Sequence, residues 1–363
     1  MPTSQTTRIE LTLGGARYQH FTALTVQRSL LQACGQMTLS YSGQTAIAPD
    51  AKFTLELDGH TALTGHIDSI SASLDATALS YSATGRDLAA DLVDCSCTVT
   101  GQLNGLRLDA LASHVAGGYG LSVRTEAGTA LGAPFESFSI EPGESVWQVI
   151  EKACRMRALL ALSDGKGALL LTRAGTKAHP TALVEGHNIL RAKVTADHSQ
   201  RYHWYQCLAQ QGSAQVQQWS ATGTVDAKDQ AQASAKATDS LARKPRKLAM
   251  VQEQSAGSPS LAERAAWECA VRAGKSTTLE VEVAGFSGHG QLYEPNTLMQ
   301  VDIPSLNLKD RLLVESVTHT LDSQGSRTTL TLVNANAYRL IPEPEAKDNK
   351  QSLQQWSRSD GTV

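Results

Sequence analysis

The cysteine pair Cys95 and Cys97 comes closest to a metal-site pattern in this sequence. Structural zinc sites use cysteines with roughly two to four residues between them, and a second pair of ligands elsewhere. Here one residue separates the two cysteines, and the chain has no second pair. On a strand this spacing places both thiols on one face, where they fill core volume like small apolar side chains. The spacing therefore favours inert thiols over metal ligands.

Two carboxylates, Glu141 and Glu144, flank Pro142 and Gly143. Paired carboxylates hydrolyse glycosides when they face each other across a cleft. Glu144 also directly precedes Ser145, where we expect a helix to begin, and a negative charge there is stabilised by the helix dipole. We favour the role at the helix start and keep glycoside hydrolysis as an alternative.

The ten histidines form no metal-binding pattern such as HExxH. His60 and His66 flank the return strand of a hairpin, and His198 and His203 lie in a polar stretch, which indicates surface or loop positions. The glycine-rich segment 285–290 lies between two strands, so we interpret it as a hairpin connection rather than a phosphate-binding loop. No nucleophile elbow, P-loop or dinucleotide fingerprint occurs. The sequence thus predicts no catalytic, cofactor-binding or metal-binding residue.

The bulk composition is that of an ordinary globular protein. A chain of 363 residues is long enough for two or three domains of roughly 100–200 residues each. The formal net charge of −3 disfavours direct duplex binding, because nucleic-acid binders usually carry a strongly basic surface. The longest apolar run, Ala158–Leu162, falls far short of the roughly 18 residues that span a bilayer.

The first hundred residues have the pattern of short antiparallel strands. Phe53, Leu55 and Leu57 alternate with polar residues, and the dipeptide that follows, Asp58-Gly59, is a strong hairpin signal. Period-two alternation buries one face of each strand, and such strands close most easily into a small barrel or sandwich. We predict a first barrel-like β domain over residues 1–97, with strands from 188–224 as a candidate completion.

A compact α/β unit is predicted over residues 98–180. Apolar residues recur at helical spacing between Leu108 and Val115. Ser145 and Gln148 have the spacing of a capping box, which predicts a second helix beginning there. A hairpin is expected to follow, from Leu159 to Thr172.

Residues 181–275 are predicted to be a connecting β and helical region, in which Ser260 and Glu263 repeat the capping-box spacing. Its polar insertion, 226–240, buries little, and both an exposed helix and a mobile insertion remain open.

Apolar and polar residues alternate again in residues 276–341, which we predict to be a second barrel-like β domain. A polar, flexible tail is expected over 342–363. The expected fold class is α+β, mainly β: two barrel-like β domains with an inserted α/β unit and a further helix-containing region.

The segment Thr84–Cys95, TGRDLAADLVDC, resembles a known family. In the baseplate hub proteins of Mu-like phages a strand ends in a Gly-Arg-Asp turn, followed by a short element reading roughly Asp-Leu-(Ile/Val)-Asp-Cys. Further similar segments follow the family's order over roughly residues 8–340: Val26–Ser29, Phe53–Leu57, Thr64–Asp68, Glu144–Leu170, Gly290–Asn296 and Val301–Pro304.

This resemblance implies a structural protein of a contractile tail, similar in architecture to the spike hubs of type VI secretion systems. Such hubs form a homotrimer whose two β domains per chain make a pseudo-sixfold ring, which joins the sixfold tail tube to the threefold central spike. The implied partners are the chain itself, a tail tube or tube-initiator protein, the spike and other baseplate proteins. DNA would pass through the channel without specific binding, and neither a cofactor nor a membrane is implied. The expected location is the virion, after assembly in the host cytoplasm.

Two other functions compete with a hub. A tail-associated cell-wall hydrolase would use Glu141 and Glu144. A carbohydrate-binding adhesion module would need exposed aromatic platforms, yet only 5% of the residues are aromatic and Trp147 lies in an apolar helical segment.

Overall fold

The structure is a computed structural model that describes residues 8–18, 21–41, 47–76, 79–209, 234–252 and 259–342. Most regular elements in these residues are antiparallel strands, and the prediction of a mainly β, α+β fold is confirmed. The two β regions share one fourteen-stranded sheet, and within the described residues its strands follow an open path rather than a closed ring. In that part of the chain no helix is both long enough and apolar enough to cross a membrane.

The first β region contains seven strands: β1 (Ile9–Leu13), β2 (Ala16–Tyr18), β3 (Phe21–Ser29), β4 (Gln36–Tyr41), β5 (Lys52–Leu57), β6 (His60–Leu74) and β7 (Leu79–Asp87). The predicted alternate burial is clearest in β4 and β5. The hairpin predicted at Asp58-Gly59 is confirmed, because Leu57 pairs with His60 across it. Both turn residues have positive φ, 51° and 78°, as a two-residue hairpin with matching twist requires.

The middle region combines three helices with five short strands: α1 (Ala90–Asp94), β8 (Gly101–Leu103), α2 (Leu108–Ala116), β9 (Ser122–Thr125), β10 (Phe138–Ile140), α3 (Val146–Met156), β11 (Leu160–Ser163) and β12 (Ala168–Thr172). The capping box at α3 is confirmed: the backbone N–H of Gln148 donates to the Ser145 hydroxyl, and the Gln148 side chain accepts from the backbone N–H of Ser145. The predicted hairpin is also confirmed, since β11 pairs with β12.

The rest of the chain adds short strands, a small separate sheet and the second β region: β13 (Lys177–Ala178), β14 (Leu183–Val184), β15 (Ile189–Ala196), β16 (Trp204–Ala209), β17 (Ser234–Thr238), β18 (Lys247–Gln252), α4 (Leu261–Lys275), β19 (Thr277–Ala284), β20 (Ser287–Gly288), β21 (Gln291–Leu292), β22 (Thr297–Ile303), a 3₁₀ turn (Pro304–Leu306), β23 (Leu308–Asp322), β24 (Gly325–Val333) and a second 3₁₀ turn (Ala335–Tyr338). The capping box of Ser260 with Glu263 at α4 is confirmed.

Two expectations for this part differ from the structure. Strands from 188–224 are the predicted candidate completion of the first barrel. In the described part, 188–209, β15 pairs with β19 of the second region and β16 pairs with β17 and β18, while 210–224 lie outside the described residues. Strand pairing is decided by long-range partners that local alternation does not encode. Within the polar insertion 226–240, Ser234–Thr238 is strand β17, whereas 226–233 lie outside the described residues, as does the tail from 343. The predicted domain boundaries stay predictions.

The two β regions are joined by one antiparallel ladder. Residues Leu24–Ser29 of β3 pair with Ser316–Leu321 of β23 in six residue pairs. β3 also pairs with β4, and β23 with β24, so the junction lies inside the sheet rather than at an edge. The backbone hydrogen bonds of the two regions are therefore continuous.

The sheet contains an internal structural repeat. The order β3-β4-β7-β6-β5 of the first region corresponds to β15-β19-β24-β23-β22 of the second. The β-bulges, at which one residue has no partner in the neighbouring strand, also correspond. Thr22 of β3 corresponds to Leu190 of β15, and Asp68 of β6 corresponds to Glu315 of β23. The buried positions of the strand paired to each long strand also match: Phe53, Leu55 and Leu57 correspond to Met299, Val301 and Ile303.

Gly65 lies so close to the backbone of the neighbouring strand β7 that a residue with a Cβ atom does not fit there. A Cβ atom at this position would lie 1.8 Å from the carbonyl oxygen of Arg86 on the neighbouring strand. No flexible side chain can move aside, because the obstructing atoms belong to backbone.

We expect Gly65→Ala to destabilise the protein by about 1–3 kcal/mol or more, since the strands must separate to admit the methyl group. Gly118→Ala is the matched control, because a Cβ atom at that position would have no neighbour within 4 Å. Urea unfolding at one fixed protein concentration measures both variants. Equal midpoints for the two variants would show that the close approach is not a constraint.

Candidate functional site

The Gly85-Arg86-Asp87 segment ends β7 at the border between the first β region and the middle region. The Arg86 guanidinium donates to Asp68 on β6 at 2.8 Å and to Asp94 at the end of α1 at 2.6 Å. Hydrogen bonds to these two carboxylates raise the pKa of Arg86 above its ordinary value. The side chain thereby ties the first helix of the middle region to the sheet.

Asp87 is a buried carboxylate, only 2% exposed, that joins three segments. It accepts hydrogen bonds from the backbone N–H of Gly35 at 2.8 Å, from that of Ala89 at 2.9 Å and from the Ser163 hydroxyl at 2.7 Å. Burial raises the pKa of Asp87, and these hydrogen bonds and Arg28 offset part of the rise. Because Ser163 ends β11, this carboxylate holds the middle hairpin against the first β region.

Arg28, on β3, extends the same junction to the second β region. Its guanidinium donates to the carbonyl oxygen of Ser163 at 3.0 Å and lies 3.5 Å from Glu294. Lys166, in the hairpin turn, donates to the same Glu294 oxygen at 2.7 Å. Burial raises the pKa of Glu294, but Arg28 and Lys166 outweigh it and bring the pKa below its ordinary value. All three regions therefore meet in one junction cluster: Arg28, Asp87, Ser163, Lys166 and Glu294.

A polar cleft of about 400 Å³ lies beside the junction cluster, lined in part by His60, Lys166, His179 and Glu294. The His179 ring stacks on Tyr293 at 5.0 Å, and burial lowers its pKa. Its Nε2 atom is buried without a hydrogen-bond partner among the described residues. Lys166 and Glu294 pair with each other, so these two charges of the cleft serve the junction between regions.

The two cysteines considered as metal ligands belong to no group of three or more metal-ligating side chains among the described residues. The structure shows no cluster of three or more histidine, cysteine or acidic side chains in the residues it describes. Cys97 is 5% exposed in the core of the middle region, and Cys95 is partly buried. Burial raises the pKa of Cys34 to about 11 and that of Cys154 to about 12, which suppresses the reactive thiolate.

The carboxylate pair is arranged for structure rather than for acid catalysis. Glu144 accepts from the Lys152 ammonium at 2.8 Å and from the backbone N–H of Glu141 at 2.8 Å. Burial raises the pKa of Glu144, but these two contacts outweigh it and lower the pKa overall. A general acid working near neutral pH needs a raised pKa, so this geometry favours the role at the helix start.

The four predicted surface or loop histidines lie in separate places. His60 is hydrogen-bonded to the carbonyl oxygen of Gly290 at 2.9 Å, and His203 to that of Asp239 at 2.7 Å. His66 lies within β6, while His198 is exposed after β15. The segment 285–290 contains β20 and the turn of the β20–β21 hairpin, which confirms its interpretation as a hairpin connection.

Sequence reasoning missed a buried histidine, His319 on β23, which is 3% exposed. It is hydrogen-bonded to the Thr328 hydroxyl at 2.9 Å and contacts the Phe286 ring edge-on. Burial lowers its pKa to about 3, so the ring is neutral at physiological pH. The signal in the sequence was its position on the apolar face of an alternating run, two residues after Val317.

Three parts of the chain match known protein families. Residues 8–87 match the N-terminal part of the Mu phage baseplate assembly protein GpP-like family. Residues 89–173 match the second domain of the baseplate hub protein gp44-like family. Residues 258–341 match the fourth domain of the Mu phage baseplate assembly protein GpP family.

Whole-chain relatives agree with these matches. The chain is 30% identical over 353 residues to the baseplate hub protein gp44 of Escherichia phage Mu, covering 94% of this chain and 92% of that protein. It is 27% identical to the 43 kDa tail protein of prophage MuSo2 from Shewanella oneidensis, with a TM-score of 0.79 over 93% of this chain and 99% of that one. It shares the fold of the E. coli c3393 protein, a type VI secretion component, with a TM-score of 0.55 and 10% identity over 92% of this chain and 80% of that one.

We expect Glu294→Gln to remove a stabilising effect that depends on pH. The folded-state pKa of Glu294 lies below its ordinary value of 4.5, so its contribution is present above pH 4.5 and is lost as pH falls through the folded pKa. The difference in free energy of unfolding between wild type and variant should be constant near neutral pH and shrink in acid. Burial raises the pKa of Asp87, so its contribution depends on pH in the opposite sense, and Asp87 is present in both proteins.

Urea unfolding between pH 3 and pH 7 measures this difference, with the exposed Glu136→Gln as the control. A difference independent of pH, or one equal to that of the control, would contradict the role of Glu294 in the junction cluster.

Proposed function

This chain belongs to the family of Mu-like phage baseplate hub proteins, and we propose that it forms a trimeric, pseudo-sixfold ring that joins the tail tube to the central spike. The internal repeat of the sheet carries this proposal. Each chain contains two equivalent five-strand units joined by the β3–β23 ladder. Three chains then supply six such units, which is the number that matches a sixfold tube.

The middle region supports the change from sixfold to threefold symmetry. It is inserted once per chain, after β7, and the corresponding end of β24 leads instead into a 3₁₀ turn. One side of the ring therefore presents six similar units, while the other presents three middle regions. A threefold spike fits the second side, and a tube or tube-initiator protein fits the first.

The ring would surround a channel through which DNA passes in the virion baseplate. A net charge of −3 fits such a passage, because a strongly basic wall would bind phosphates. We propose that acidic side chains line this channel, and a ring structure with a strongly basic lumen would contradict that. The six free cysteines fit assembly in a reducing host cytoplasm.

We expect the purified chain to be a trimer in solution, with three times the 38.7 kDa chain mass. Closed cyclic assemblies have a fixed number of subunits, so the mass should not rise as the concentration increases. Size-exclusion chromatography with multi-angle light scattering measures it. A monomer at micromolar concentration, or open-ended growth, would contradict the ring.

The proposed role is structural, and we expect no hydrolysis of peptidoglycan by the purified chain. Burial raises the pKa of Glu144, but its contact with Lys152 lowers it overall, whereas a general acid working near neutral pH needs a raised pKa. Turbidity of a peptidoglycan suspension measures the activity, with lysozyme as positive control. Clearing by the wild type that disappears in Glu141→Gln and Glu144→Gln would establish the hydrolase instead.

Among the large hydrophobic side chains of the described residues, Trp204 is the exposed aromatic, and two lysines lie against its ring. Trp204 is 38% exposed, and the ammonium groups of Lys236 and Lys247 lie 5.2 and 4.8 Å from its ring centre. A sugar-stacking platform needs a free ring face, so this geometry favours the hub over an adhesion module.

A further inference from the structure

We propose that the far half of β6 in one chain pairs in antiparallel register with β15 of a second copy of this chain, repeating between chains the β3–β23 ladder within each chain. The proposal rests on the ring proposed above and names the surfaces and the register that close it. It is carried by the internal repeat and by two strand edges that have no partner in the described residues.

The first edge belongs to β6. This strand pairs with β7 from Gly65 to Leu74, but with β5 only over its first half, from His60 to His66. Beyond Ile67 the side that faces β5 has no strand partner in the part of the chain that the structure describes. Leu74, at the end of this half, is 79% exposed. Unpaired backbone N–H and C=O groups along such an edge form a template for another strand.

The second edge belongs to β15. This strand pairs with β19 on one side, and no described strand covers the other side. Leu190, at its bulge, is 55% exposed. The corresponding strand of the first unit, β3, is covered on that side by β23. The repeat thus predicts that β15 also has a strand partner on this side. Since β6 is the strand of the first unit that corresponds to β23, the predicted partner of β15 is β6.

The bulges fix the register of the missing ladder. Asp68 of β6 corresponds to Glu315 of β23, and Leu190 of β15 corresponds to Thr22 of β3. Within the chain Ser316 pairs with Ser29, and the pairing continues in antiparallel order to Leu321 with Leu24. Transferred through the repeat, the ladder between chains has six pairs, with the β15 residue on the second chain: Ser69 with Asp197, Ile70 with Ala196, Ser71 with Thr195, Ala72 with Val194, Ser73 with Lys193, and Leu74 with Ala192.

In this register the paired side chains have similar polarity on each face of the ladder. Alternate positions on one face are apolar on both strands: Ile70, Ala72 and Leu74 on β6, and Ala192, Val194 and Ala196 on β15. Serines on β6 face polar or charged residues of β15 on the other face. Within the chain the corresponding face holds Leu321 opposite Leu24 and His319 opposite Val26. A shift by one residue would place apolar side chains opposite polar ones.

The position of the two edges indicates a head-to-tail contact between two copies of this chain. β6 and β15 lie in different repeat units, so one edge of each chain meets the other edge of the next chain. Such heterologous contacts close into a ring when the rotation per contact is suitable.

The test is a disulfide between exposed positions that the register pairs, Ser71→Cys with Thr195→Cys, formed under mild oxidation in the full chain. Residues directly opposite in a ladder have Cβ atoms about 4.5–5.5 Å apart, while diagonal neighbours are about 7–8 Å apart. The matched control is the diagonal pair Ser71→Cys with Lys193→Cys, and the wild type gives the background from its six cysteines.

On a non-reducing gel the in-register pair should lose its monomer band in favour of covalent trimers. The two single variants mixed together should stop at dimers, because each chain then carries only one half of the contact. The diagonal pair should remain near the wild-type background.

A second measurement does not depend on cysteine chemistry. Ala72→Arg places a charge on the apolar face of the ladder and should convert trimers to monomers, with unchanged far-UV circular dichroism. Ala249→Arg, at another exposed alanine on β18 of the separate sheet, should stay trimeric.

The outcomes separate this proposal from the ring itself. A wild-type trimer that yields no in-register cross-link and tolerates Ala72→Arg overturns the edge pairing and leaves the ring in place. A wild-type monomer overturns both.

Discussion

The antiparallel ladder between β3 and β23 is the constraint on which the rest of the molecule depends. Its two strands lie almost 300 positions apart in the chain, yet each also pairs with a strand of its own unit. The ladder therefore orders two five-strand units side by side as one sheet and fixes their relative register. Because the units have the same strand order and the same bulges, the ladder also shows how one unit binds another.

The junction cluster breaks this repeat at the place where the middle region docks. Arg28 corresponds to Ala196 in the second unit, and Asp87 corresponds to Asn334. Only the first unit therefore offers a buried carboxylate and guanidinium to Ser163. Burial of a charged pair contributes little net stability, but removing one partner leaves an uncompensated charge, so such a cluster specifies one orientation. The same two differences leave the second unit without a docking point for a middle region.

The elements that the sequence predicted are those fixed by neighbouring residues. Alternation located the strands, and the Ser145–Gln148 and Ser260–Glu263 spacings located two helix starts, because capping is decided within one turn. The partner of β15 and the joining of the two β regions were not predictable in this way, since strand pairing depends on residues far away in the chain. Arg28 and Glu294 are 266 positions apart in the chain, so no local sequence pattern predicts their contact.

The exposed charges of β15 bear on which partner that edge selects. Arg191 and Lys193 are exposed along it, and charged residues on an edge strand oppose indiscriminate pairing. A symmetric β15–β15 contact would bring these positive charges together, and like charges on paired strands are destabilising. The far half of β6 presents serines instead and holds one carboxylate, Asp68, which is bound to Arg86 at its start. The edge charges therefore favour the head-to-tail contact, which leads to a ring, over the symmetric contact, which would stop at a dimer.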